Sequence, residues 1–265
     1  MAAPNPARQR HARRRVAELF AHPASVWVIH YACQSFEHGQ RMQSPRVTAL
    51  VVRNLGTGYT ETFSLQAEAE LKGLNAVGVL ARMDALERAM LDKVFSFLAL
   101  NRFNRFVHWK MRNAIYGFAA IEHRYAVLGG TPFAIPEPQR YDLAWLMEEI
   151  YGSDYVEEPH FETLAALNGL PLAGFLPGDK EAEAFRRSAY LEVQRSTTCK
   201  VGLFFDLLHR VNDRTLKTRS GWWTQNLGRT REAAELFRDN PVKALAGAAI
   251  PVGGAAMTVW KLLGY

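Results

Sequence analysis

The chain has 265 residues, of which 48% are hydrophobic and 22% charged, room for one large domain or two small ones with a core of their own. That composition excludes wholesale disorder, collagen and a disulfide scaffold, and the only cysteines, Cys33 and Cys199, fit a reducing cytosol. A mean hydropathy of −0.16 excludes a polytopic membrane protein, and 32 Lys plus Arg against 26 Asp plus Glu leave a net charge of +6 that suits an anionic partner, nucleic acid or a lipid surface.

Arg8, Arg10, Arg13, Arg14 and Arg15 precede any acidic residue. Residues 1–24 therefore read as a frayed basic arm running into a short amphipathic helix that ends before His22-Pro23, with Arg13, Arg14 and Arg15 as candidate contacts to phosphate in nucleic acid or lipid headgroups. Residues 26–36 (VWVIHYACQSF) read as a central strand buried on both faces, and 46–54 as a second strand. Gly56-Thr57-Gly58 marks a turn into a third strand, 59–65. Apolar residues recur at helical spacing over 84–100, Arg105 to Trp109 forms a short fourth strand, and 113–128 a helix closed by Gly129-Gly130. Helices follow over 141–151 and 161–168, the latter with an Asn-Gly stop, and 179–209 is one long helix or a broken pair. Three antiparallel strands, a helix and a parallel strand give an α/β fold of the ribonuclease H-like kind over residues 25–210, a mixed sheet flanked by helices.

Residues 211–243 form a basic linker in which Arg219 and the pair Trp222-Trp223 suit stacking on bases or seating at a membrane interface. The uncharged run 244–260 (ALAGAAIPVGGAAMTVW) falls at the lower limit of the roughly 17–25 apolar residues that a bilayer span requires. Basic residues before it would keep the body on the cytoplasmic face. The expectation is a C-terminal hydrophobic helix, within residues 244–265, that anchors the chain in a membrane; a helix buried against a cytoplasmic domain, or a surface-lying amphipathic segment, is the alternative.

The element order, together with particular residues, resembles the DEDD family of 3′–5′ exonucleases, especially the proofreading domain of family-B DNA polymerases. His108-Trp109 and Tyr116-Gly117 stand where that family has a His-Asn or Tyr-Asn pair and a Phe-Asp, with Arg124 seven residues beyond Gly117. Asp142-Leu143 matches a later Asp-Leu, and Tyr190 opens what would be the last motif. The resemblance implies a two-metal nuclease, in which carboxylates hold two Mg²⁺ or Mn²⁺ ions that clamp the scissile phosphate. Those carboxylates are replaced: Tyr31 and Cys33 stand for the first pair, Gly117 for the second Asp, and Gln194 or Ser196 for the last. A phenol, a thiol and a glycine cannot hold two hard cations, so no cofactor is expected.

The first reading is therefore a membrane-tethered, exonuclease-like domain without the two-metal chemistry, which binds nucleic acid or a protein partner. A second is an active phosphodiesterase with a metal held by His30, Glu37, His108, Glu122 and His123, provided that these converge. A third is a structural scaffold whose groove is filled by Tyr31, Trp109 and Tyr116. Templates for a serine nucleophile elbow, a phosphate-binding loop, a zinc-protease helix or a CxxC site are missing from the sequence. Ser196-Thr-Thr-Cys-Lys200 has nucleophile-like residues, but hydroxyls on a helix mostly bond back to carbonyls.

Overall fold

The computed structural model describes residues 5–34, 44–112 and 116–219. Helix α1 (Pro6–Ala21) starts earlier than the frayed arm expected, because Asn5 Oδ1 accepts from the amides of Ala7 and Arg8 and Pro6 occupies the first turn. Its Ala12, Val16 and Leu19 point inward, so the described part of the 1–24 segment belongs to the body. The described residues lie in one compact unit that ends at Arg219, past the boundary expected at 210.

Strand β1 (Val26–Cys33) is buried on both faces over nearly its whole length, as its apolar run demands. It pairs antiparallel with β2 (Val47–Asn54), which pairs antiparallel with β3 (Thr60–Ser64). Asn54 makes the hairpin: its Oδ1 accepts from the amides of Gly56 and Thr57, and Gly58 takes the left-handed conformation, φ +70°, that the turn requires. On the other side of β1 lies the parallel strand β4 (Arg105–His108), followed by a parallel strand that the sequence reading missed, β5 (Arg140–Asp142). The expected helix from 141 begins two residues later, as α6 (Leu143–Tyr151), because Asp142 ends β5 and caps the helix through the amides of Ala144 and Trp145. The sheet order is β3-β2-β1-β4-β5, a five-stranded mixed sheet.

Helices cover both faces. Between β3 and β4 come α2 (Leu65–Leu71) and α3 (Ala76–Ala81), both unread in the sequence, and α4 (Met83–Leu100). Helix α5 (Phe118–Val127) begins five residues after the expected start at 113. After α6 come α7 (His160–Asn168), α8 (Gly178–Arg186) and α9 (Tyr190–Asn212). The 179–209 segment is thus a broken pair, parted at Ser188, which adopts φ +61°. One core joins α1, α6 and α9 to Val26, Val28, Val51 and Val107; the other joins α4 and α5 to Trp27, Ile29, Leu50 and Phe106. Alternate side chains of β1 therefore serve opposite layers, each buried Ile, Leu or Phe contributing roughly 1.5–3 kcal/mol.

The second layer contains a buried charge network. Glu87 of α4 is fully buried and accepts from the amide of Val47 at 2.7 Å, from Arg46 Nη1 at 2.8 Å and from Arg124 Nε and Nη2 at 2.9 and 2.6 Å. Arg46 and Arg124 also reach Asp84, so the cations are matched by carboxylates. Arg124 thereby has the structural role of fixing α5 to α4 and β2. No helix among the described residues is long and apolar enough to cross a membrane, and the expected hydrophobic helix in 244–260 lies outside them.

Candidate functional site

A cleft of about 730 Å³ opens at the carboxyl ends of β1 and β4. Ligands of open α/β sheets bind at this end, where parallel strands hand over to loops. It is lined by the tip of β1 from His30 to Gln34, Trp109-Lys110 after β4, Tyr116 before α5, residues 158–162 at the start of α7, Phe175 in the loop that leads to α8, and α8 with the facing side of α9.

Tyr31, Tyr116 and Gly117 lock one wall. The Tyr31 hydroxyl accepts from the Gly117 amide at 2.9 Å, the Tyr116 hydroxyl donates to the Tyr31 carbonyl at 2.9 Å, and the two rings stack at 4.6 Å. Burial raises the pKa of both phenols far above the ordinary value, so both remain neutral. Burial first, then the negative charges of Glu181 and Glu87, pushes the Cys33 thiol up to about 12, so it carries no thiolate at neutral pH.

The opposite wall holds the buried charges. Lys200 of α9 and Glu181 of α8 form an ion pair at 2.7 Å, with side chains only 7% and 12% exposed. Ser196, one turn before Lys200, donates to the same Glu181 oxygen at 2.6 Å. The Lys200 ammonium also lies over the Phe175 ring, 5.4 Å from its centroid. Trp109 stacks on Phe204 and meets the tilted ring of Phe161 at 4.7 Å. Thr197 and Thr198 bond back to the carbonyls of Val193 and Gln194, as hydroxyls on a helix are expected to do. Gln194 turns away from the cleft and accepts from Ser64 at 2.6 Å.

The residues of the His/Glu cluster do not converge. His30 points to the α9 layer, edge-on to Phe204, whereas His108 points to the α5 layer, edge-on to Phe118. The sheet therefore separates them. Glu122 lies in the α5 layer and pairs with Arg140 at 3.4 Å, His123 is exposed, and Glu37 lies outside the described residues. Among the described residues no group of three or more His, Cys, Asp or Glu is placed to hold a metal ion. Burial, with Lys200 adding to it, depresses the pKa of His30 well below the ordinary value, and its Nδ1 has no hydrogen-bond partner. Burial likewise lowers that of His108 to about 4, against the opposing pull of Asp142.

The basic residues singled out in the sequence are partly consumed by the fold. Arg13 lies over the Tyr151 ring and Arg15 over the Tyr141 ring, while Arg14 is exposed. Arg219 pairs with Glu157 at 2.6 Å. Trp222, Trp223 and residues 244–260 lie outside the described residues. Sequence reasoning missed Lys200 and Glu181. The signal available was the four-residue step from Ser196 to Lys200, which puts both on one face of a helix, but nothing in the sequence paired them with residue 181. No family model, curated protein or solved structure matches the chain.

Proposed function

We propose that this protein is a membrane-tethered, exonuclease-like module of ribonuclease H-like fold that binds nucleic acid without cutting it. The observation that carries the reading is the bond between the Tyr31 hydroxyl and the Gly117 amide: in the resemblance these two positions would present carboxylates to metal ions, and here they satisfy each other. Two further features support it. The β3-β2-β1-β4-β5 order, with β1 antiparallel to β2 and parallel to β4, is the arrangement that the fold expectation requires. The cleft also holds its own cation, Lys200, already neutralised by Glu181. Nucleic acid is favoured by the net charge of +6 and by Arg10 and Arg14, which stand exposed on α1. The membrane tether rests on the uncharged run 244–260.

The test is a nuclease assay on the full chain with single-stranded DNA and RNA in Mg²⁺ and in Mn²⁺, run beside a filter-binding salt series. Retention that weakens steeply with salt, with no shortening of the strand, is the expected result. Metal-dependent degradation that His108→Ala abolishes would establish the phosphodiesterase reading instead. Absence of retention at low salt would remove nucleic acid as the partner and leave a protein partner.

A further inference from the structure

Lys200 is an uncommon residue in an uncommon place. Burying an ammonium costs several kcal/mol unless an anion meets it, which makes buried lysines rare. Here the anion does not come from a strand or from α9. It comes from α8, a nine-residue helix laid over the cleft. Both ends of α8 are marked by left-handed residues, Gly174 at φ +83° in the loop before it and Ser188 at φ +61° after it. Between them its fully buried residues are Ala182 and Ala184, the latter meeting Ala32 and Val193, and its half-buried Phe185 packs edge-on to Tyr190 of α9. Within the cleft, α8 is tied to α9 by the Glu181 carboxylate, held by Lys200 and Ser196.

The group seated on Lys200 is a carboxylate, and the adjoining walls are the rings of Phe175, Phe161 and Trp109. We propose that the cleft is a binding site for a small aromatic carboxylate, in which Lys200 takes the carboxylate, the rings take the planar body, and Glu181 is the intramolecular occupant that the ligand displaces. None of the cleft's lining residues belongs to α1, whose Arg10 and Arg14 favour nucleic acid, so this ligand is additional to that reading. His30, buried beside Lys200 with Nδ1 unpartnered, supplies a neutral hydrogen-bonding group at the same end. Exchange of one carboxylate for another keeps the ammonium paired, whereas removal of either member without the other leaves a buried charge alone.

The probe is benzoate, titrated calorimetrically into the full chain at fixed ionic strength. Glu181→Gln frees Lys200 and is expected to tighten benzoate binding by about tenfold or more, the value of one charge-assisted hydrogen bond. The double variant Glu181→Gln with Lys200→Met carries no unpaired charge, is expected to keep the circular dichroism spectrum of the unaltered chain, and is expected to lose that gain entirely. Amide exchange in α8 is expected to quicken when benzoate binds to the unaltered chain. Equal benzoate affinity in all three chains would overturn the proposal, as would inorganic phosphate binding to Glu181→Gln as tightly as benzoate, which would show that charge alone is read. None of these outcomes bears on strand cleavage, so a failure here is distinct from a failure of the nuclease assay.

Discussion

At the scale of single residues, the strongest demand in the molecule is made by Glu87. With no exposure and four donors, its carboxylate replaces water completely. Glu87→Ala would leave Arg46 and Arg124 facing each other with only the exposed Asp84 between them. The expected cost is about 3–5 kcal/mol of stability, the range for breaking a buried ion pair from one side. Urea denaturation monitored by circular dichroism measures it, and a loss below about 1 kcal/mol would show that the network is no more than a surface pair. Arg124 illustrates what a sequence reveals at this scale. Its position seven residues after Gly117 singles it out, but its partner on α4 is not readable, because nothing in the spacing of α5 reports which residue of another helix crosses it.

At the scale of elements, Asp142 joins three parts of the fold. It ends β5, caps α6, accepts from the Lys110 amide at 3.2 Å and pairs with Arg112 at 3.2 Å. Asp142→Ala is expected to cost about 2 kcal/mol or more, since a helix cap and the acceptor of the half-buried Lys110 amide are lost together. Asp142→Asn keeps both and loses only the half-exposed Arg112 pair, so a cost of about 1 kcal/mol or less is expected. Thermal unfolding of the two variants distinguishes the roles. The same junction shows why element boundaries were harder to read than elements. Arg140-Tyr141-Asp142 is too short to display a period of two, and its apolar Tyr141 continues the helical pattern of α6, so the residues were absorbed into the helix. Long segments such as β1 and α4 carried enough periods to be placed from sequence. Helices α2 and α3 did not, because seven and six residues span less than two helical turns each. The cleft was legible only in part. Tyr31 and Cys33, singled out on the β1 run, do line it, while the Lys200–Glu181 pair depends on two helices meeting across a loop.

At the scale of the whole molecule, the buried histidines set the response to acid. His30 and His108 both have pKa values below the ordinary 6.5, His108 down to about 4, because burial penalises the charged ring. Their unfolded forms take up protons near pH 6.5, whereas the folded forms do so only at lower pH. Between those values the unfolded state binds more protons, so stability falls as pH falls from 6.5 towards 4. Asp92 and Asp84, whose carboxyls are held below the usual range by bonds from Tyr125 and Arg88 and from Arg46 respectively, extend the same trend downward as they too become protonated. Urea midpoints measured between pH 7 and pH 4 are expected to decline, and His108→Asn is expected to flatten the decline. A flat profile in the unaltered chain would show that both rings are hydrated in solution.

The stacked tyrosines at the tip of β1 set where this protein is free to diversify. A change at Tyr31 would unstack Tyr116 and strip the acceptor from the amide that opens α5 in a single step. That wall therefore resists piecemeal tinkering. On the rim formed by α8, the exposed Asp179, Lys180 and Glu183 carry no such double obligation, and there new specificities can be tried one residue at a time.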